Sequence, residues 1–448
     1  MIGNKYPSIE DLMRENERLK TVIALLEENN PQKKYGLVWE KQADGESVPP
    51  QELYLREVTE KRIYTSETSP LHWLIEGDNY HSLYILLQTH RQKIDLIYID
   101  PPYNTGNRDF KFKDRFSDQE AAYRHSRWIA FMEKRLRLAR QLLSPSGAIF
   151  VSIDDTELAQ TKLLCDEIFG EKNFVANFIR KCKTGSGHDS GKIAIEFDYM
   201  LCYTKDSSKQ KFNKLPLDVE SDAKYRHQDT FVAHRGKYYL RDLDYKGSYS
   251  ASLDYPIQAP DGTELWPGGA FGRPNTWRWN REKFEWGLAN DYIVFKRNAK
   301  QWKVYIKQYQ YVDNQDQKRV RELPHRAMIE FINSKGSNEL KDILHEDIFT
   351  HPKPVDLIEF VINLMPGKQL TILDFFAGSG TTGHAVLRLN QQQGTQHHFI
   401  LCTNNENGIC EKVCYERLRR VIGGYETRNG RYVKGTGGNL SYWRVAES

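Results

Sequence analysis

Six residues, Ile94–Ile99, run without a turn signal into Asp100-Pro101-Pro102-Tyr103. A nearly continuous apolar run of this length, stopped so sharply, predicts a strand buried on both faces, as in a parallel sheet covered by helices. Neither proline has a backbone donor and both hold φ nearly fixed, so the strand ends there and the chain beyond it forms a stiff ledge. That sets a carboxylate at the carboxyl edge of a sheet. Asp100 and the Pro101 carbonyl make an acceptor pair suited to an exocyclic amine, and the Tyr103 ring offers a flat face on which a base could stack.

A second strand-to-turn segment lies far downstream. Residues 371–374 are followed by Phe375-Phe376-Ala377-Gly378-Ser379-Gly380-Thr381-Thr382, and residues 384–389 then show helical spacing. Glycines at 378 and 380 let the backbone pass close to a ligand at the start of a helix. Alone, such a turn is only a strand-to-helix connection; paired with Asp-Pro-Pro-Tyr in one chain it becomes a specific signal.

Together the two segments, Ile-Asp-Leu-Ile-Tyr-Ile-Asp-Pro-Pro-Tyr-Asn-Thr-Gly and Phe-Ala-Gly-Ser-Gly-Thr-Thr, resemble the catalytic motif and the S-adenosylmethionine turn of the amino-group DNA methyltransferases, especially the adenine-N6 type. The resemblance implies a Rossmann-like, doubly wound α/β sheet with an inserted α+β target-recognition domain and an N-terminal helix. It also implies catalysis by Asp100, Pro101, Pro102 and Tyr103, and contact with S-adenosylmethionine by Asp374, Phe376, Ala377, Gly378, Ser379, Gly380 and Thr381. Asp78, in Gly77-Asp78, matches the family's acidic residue that touches the cofactor adenine; its plain alternative is a helix cap. Lys353, in His-Pro-Lys-Pro, matches a residue near the methionine end, where an ammonium can pair with a carboxylate; the alternative is a proline-initiated helix. The order is catalytic half, recognition region, cofactor half, which is that of the β group. The stretches IDPPYNTG and HPKPVDLI are most similar to modification subunits of type III restriction systems. From that follow double-stranded DNA as substrate and a nuclease/helicase restriction subunit as partner, although this chain looks shorter than a typical such subunit.

Other residues are read from pattern alone. A strand at 398–403 leads to Asn404-Asn405-Glu406, and an acidic side chain at such a tip is the usual partner of ribose hydroxyls, which selects Glu406 with Asn405 beside it. Residues 9, 12, 16, 19, 23 and 26 follow an a/d seam with Asn16 as its one polar member. Two readings stay open there: a short coiled coil making a homodimer, or a helix folded back on its own domain. Phe110, Phe112 and Phe116 interleave with basic residues, and His188 and Asp189 sit in a glycine-bracketed loop; both stretches suggest contact with DNA or a flipped base, or plain loops.

Composition bounds the rest. The 448 residues carry a net charge of +4, but residues 171–330 hold 28 Lys and Arg against 21 Asp and Glu, leaving the remainder slightly acidic. The electropositive middle, rich in Trp and Tyr, reads as the target-recognition region. Six cysteines without CxxC spacing imply reduced thiols and no metal. No stretch is apolar enough to span a bilayer, the mean hydropathy is −0.69, and no signal-peptide pattern opens the chain, so the expected setting is the cytoplasm and no membrane. The expected divisions are an N-terminal helix at 1–30, a connector at 31–70, a catalytic half at 71–206, a recognition region at 207–330 and a cofactor half at 331–448. The predicted function is site-specific adenine-N6 methylation of duplex DNA with base flipping. Alternatives are cytosine-N4 methylation, whose ledge more often begins with Ser, a DNA-binding specificity subunit with a silent methyltransferase domain, and an RNA or protein-amide methyltransferase.

Overall fold

The computed structural model describes residues 53–105, 124–185, 193–216, 223–269, 271–297, 301–319 and 322–447. The N-terminal seam with Asn16, the phenylalanines at 110, 112 and 116, and His188 with Asp189 lie outside the described residues.

Ten strands form the main sheet: β1 (Leu53–Glu57), β2 (Leu71–Glu76), β3 (Ile94–Ile99), β4 (Leu143–Ile153), β5 (Phe174–Lys181), β6 (Phe197–Thr204), and, after a three-stranded insertion of β7 (Tyr238–Asp242), β8 (Ile293–Arg297) and β9 (Trp302–Tyr309), β10 (Met328–Glu330), β11 (Thr371–Asp374), β12 (His398–Thr403) and β13 (Asn439–Glu447). Their order is β1-β13-β2-β12-β11-β3-β4-β6-β5-β10. The six strands from β13 to β4 are mutually parallel, β6 runs antiparallel between β4 and β5, and β1 is antiparallel at the far edge. This is a doubly wound, Rossmann-like α/β sheet. From β11 the chain crosses to β12 on one side, whereas β3 leads to β4 on the other, so the gap between β11 and β3 is the topological switch point where such sheets hold ligands.

Each strand feeds both covering layers because successive side chains alternate. Leu96 and Tyr98 of β3 join a cluster with α5 (Asn333–Leu344), α6 (Val355–Leu364), α7 (Thr381–Gln393) and α8 (Glu416–Gly423), while Ile97 and Ile99 join one with α1 (Asn79–His90), α2 (Arg124–Leu142) and α3 (Leu158–Phe169). Leu96, Ile97, Ile99, Ile372 and Leu373 are wholly buried, which accounts for the uninterrupted apolar runs in the central strands. All six cysteines are buried and unbridged. Among the described residues no helix is long and apolar enough to cross a membrane.

The insertion has its own core. Trp277, Trp279, Phe284 and Tyr292 pack with Ile293, Val304, Ile306 and Tyr309 beneath the sheet β8-β9-β7, so these aromatics are not free to face DNA; Phe271, at 77% exposure, is. Residues 53–57, inside the stretch read as connector, instead form β1 and pair along β13. Asp154 and Asp155, which as acidic residues ahead of a helical pattern near 156–169 read as its caps, do not cap α3: that helix starts after Glu157 without a side-chain cap, and Asp154 accepts from Thr156 N (2.9 Å) in the preceding turn. Cys410 and Cys414 lie in a π-helical turn, Ile409–Tyr415.

Candidate active site

Parallel pairing brings the carboxyl ends of β2, β12, β11 and β3 to one edge, and four predicted segments meet there: Asp78, Asn404 to Glu406, the glycine turn and the ledge.

Three contacts from two residues hold the ledge. Trp128 of α2 donates its indole N–H to the Pro102 carbonyl (2.8 Å), the Lys353 ammonium donates to the Tyr103 hydroxyl (2.8 Å), and the same ammonium lies 2.9 Å from Asp100 Oδ1. That last contact is an ion pair off the direction of a hydrogen bond, so the buried Oδ1 has charge compensation but no aligned donor. Lys353 itself is 9% exposed and sits 4.8 Å from the centre of the Tyr103 ring. Burial, with Asp100 nearby, pushes the Tyr103 phenol well above its ordinary value, so it stays protonated. Lys353, which the resemblance places near the methionine end of a cofactor, also joins the cofactor half of the chain to the ledge.

The glycine turn is built on left-handed backbone. Gly378 (φ 48°) and Gly380 (φ 78°) sit where L side chains rarely go, and a Cβ at 380 would come within 2.9 Å of Cys414 Sγ. Gly380 is the N-cap of α7 and offers no side-chain cap, so the first amides of that helix are left without a capping side chain at the edge of the site. Asp374 is buried at the end of β11, accepting from Phe376 N (3.0 Å) and the Thr382 hydroxyl (2.6 Å); burial raises its carboxyl to about 7. Both of its oxygens are thus engaged within the turn. Ser379 and Thr381 are buried too, and Thr381 donates to the Lys353 carbonyl (3.3 Å), tying the turn to the segment that carries the ammonium.

Asp78 both caps and faces outward: Oδ1 accepts from Tyr80 N (2.7 Å), yet the side chain is 49% exposed. Glu406 is exposed at the tip of β12, whereas Asn405 turns inward and its Oδ1 accepts from Glu411 N (3.1 Å). Phe376 is half-buried and Ala377 buried.

Several supporting groups escaped the sequence reading. Arg417, wholly buried, donates to the Ser379 carbonyl (3.3 Å), the Ser379 hydroxyl (3.1 Å) and Thr381 Oγ1 (2.8 Å) from beneath the turn, and burial lowers its pKa. Asn79 donates to the Phe375 carbonyl (2.8 Å) and accepts from Arg135 Nε (2.5 Å). Arg180 and Asp198 form a buried bidentate pair, and Arg180 also reaches the Phe331 carbonyl and Asn333 Oδ1, both at 2.9 Å. Only Asn79 carried a usable signal, its place beside Asp78 at a helix start; the arginines meet partners far off in sequence.

The chemistry of this edge suits a nucleotide-like ligand: left-handed glycines before a helix N-terminus, two outward carboxylates at neighbouring strand tips, and a buried carboxylate oxygen without an aligned donor. Such a site on such a sheet defines a doubly wound α/β protein of the nucleotide-cofactor-binding class. The family model described as DNA methylase, for N6 and N4 enzymes, matches residues 94–430, about three quarters of the chain, and the chain belongs to that family. It is 32% identical to the type III restriction-modification enzyme StyLTI Mod subunit of Salmonella typhimurium, over 78% of this chain and 55% of that one. It is 28% identical to the EcoPI Mod subunit of Escherichia phage P1, over 87% and 66%, and 30% identical to the type II methyltransferase M.KpnI of Klebsiella pneumoniae, over 82% and 89%. The chain thus spans between half and two thirds of the length of these two Mod subunits.

Proposed function

We propose that this chain transfers a methyl group from S-adenosylmethionine to the N6 amine of an adenine flipped out of duplex DNA. The observation that carries the reading is the Asp100–Lys353–Tyr103 constellation, set at the switch point beside the Gly378–Gly380 turn. S-adenosylmethionine would supply an electrophilic sulfonium methyl. The residues that would hold it are the turn from Asp374 to Thr381, with Asp78 toward adenine and Glu406 toward the ribose.

The chain's own groups do the rest. Asp100 and the Pro101 carbonyl accept the two N6 hydrogens, which orients the amine, draws its lone pair out of the ring and fixes the line of attack. Tyr103 provides the stacking face, and Lys353 anchors its phenol while holding Asp100 in place. Pro101 and Pro102 keep the acceptors rigid, so little reorganisation is needed as charge develops. The proton released from the amine passes to Asp100.

The substrate and partners belong to the same proposal: double-stranded DNA at a defined site, a second copy of the chain, and a restriction subunit as in the systems to which the Mod relatives belong. Position-resolved sequencing for N6-methyladenine in DNA from cells expressing the chain alone tests the reading. One methylated sequence motif is the expected result. Nucleoside digestion yielding N4-methylcytosine would replace adenine with cytosine, and unmodified DNA alongside methylated RNA or protein would overturn the DNA substrate.

A further inference from the structure

Glu157 has no part in the site as described, yet it is a wholly buried carboxylate at the exit of the ledge. Its Oε1 accepts a hydrogen bond from Asn104 Nδ2 and lies 2.8 Å from His125 Nδ1; its Oε2 has no hydrogen-bond partner among the described residues. Asn104 is the residue after Tyr103. It is buried, with φ 58°, a left-handed conformation in which asparagine is enriched among non-glycine residues. Its amide also reaches the carbonyl of Arg124, the first residue of α2 (3.4 Å). Burying a carboxylate with one oxygen unpaired is costly, and an apolar side chain would fill the same space at less cost. Packing alone therefore gives no reason for an acid at this position.

We propose that Glu157 is a positioning residue for methyl transfer, acting through Asn104 to fix the turn that aims Tyr103. The inference rests on the methyltransferase reading above. Asn104 sets the direction in which the chain leaves Tyr103, and a charged acceptor holds an amide more firmly than a neutral one. Trp128 fixes the ledge one residue before Tyr103 and Lys353 grips the phenol itself, so Glu157 completes the restraint on the far side. The groups facing its carboxylate are Asn104, His125 and the Arg124 charge, with Gln160 Nε2 3.4 Å from His125. Burial raises the Glu157 carboxyl, and the contacts with Asn104 and His125 oppose that rise.

The test exchanges donor and acceptor in the full chain. Asn104→Ala and Glu157→Ala should each lower kcat on duplex DNA by about 10- to 100-fold, the scale of a small misplacement of reacting groups. Calorimetric affinity for S-adenosylmethionine should stay within about twofold, because the loss is in positioning rather than cofactor binding. Asn104→Asp alone sets two carboxylates face to face and should lose most. Asn104→Asp combined with Glu157→Gln restores one donor and one acceptor, and should return kcat to within about threefold of wild type, a coupling that independent sites do not show. A combined variant that folds with the wild-type thermal midpoint but is no faster than Asn104→Asp overturns the proposal, as do single variants with wild-type kcat. Wild-type chain that methylates nothing would instead remove the functional reading, and this inference with it.

Discussion

Asp100 and Asp374 close adjacent parallel strands, each following an apolar run, and they meet opposite surroundings. Asp100 keeps about a quarter of its side chain exposed and is paired with an ammonium, whereas Asp374 is 3% exposed and is held by a backbone amide and a hydroxyl. The first is arranged to receive something from outside; the second is spent on the conformation of its own turn. A carboxylate at a strand end is therefore a position, and the groups that meet it there decide its work.

The sharpest way to break this contrast is Asp100→Ala. Methylation should fall by about a thousandfold or more, on the scale of removing a preorganised charge-stabilising group, with cofactor affinity kept. Appreciable turnover in a filter-binding assay with labelled cofactor would place the catalytic acceptor elsewhere. Lys353→Met comes next: with the clamp between Asp100 and Tyr103 gone, kcat should drop by about 10- to 100-fold, and a change confined to the cofactor KM would mean the ammonium serves only the cofactor.

On the other side of the contrast, Gly380→Ala forces a side chain into left-handed backbone and against Cys414. The expected cost is about 1–3 kcal/mol of stability, read from denaturant midpoints, with weaker cofactor binding alongside. The remaining effect is on pH. The Asp374 carboxyl rises from an ordinary 3.8 to about 7 on folding, so the stability due to its retained proton is complete below the unfolded value and drains away as pH climbs toward 7. Asp374→Asn should flatten the thermal midpoint between pH 4 and 7, and an unchanged slope would show that Asp374 folds ionised.

The two motifs were legible in the sequence because their physics is local: an apolar run, a pair of prolines, glycines before a helix. The doubly wound sheet was what the family resemblance carried by those motifs implied. Edge strand β1 was not legible, since residues 53–57 become a strand only by pairing with β13 nearly 400 residues later. Arg417 beneath Ser379 and the Arg180–Asp198 pair, 38 and 18 positions from their partners, stayed hidden for another reason: a surface arginine and a buried one look alike until the fold supplies a partner. In the insertion a sequence rich in aromatic and basic residues reads as a binding face with some of its tryptophans in the core, and the fold shows which: Trp277 and Trp279.

The split of the site between β3 and β11 also sets a clock. Asp100 and Asp374 are 274 positions apart in the chain, so at ribosomal speeds of about 5–20 residues per second the ledge waits roughly 15–55 s for the turn that completes it. During synthesis β3 has β4 beside it but lacks its other neighbour, and the insertion, with a core of its own, emerges in between. A nascent chain halted before residue 371 would expose the edge of β3, which marks this as the stage at which a folding helper or a competing strand has most to act upon.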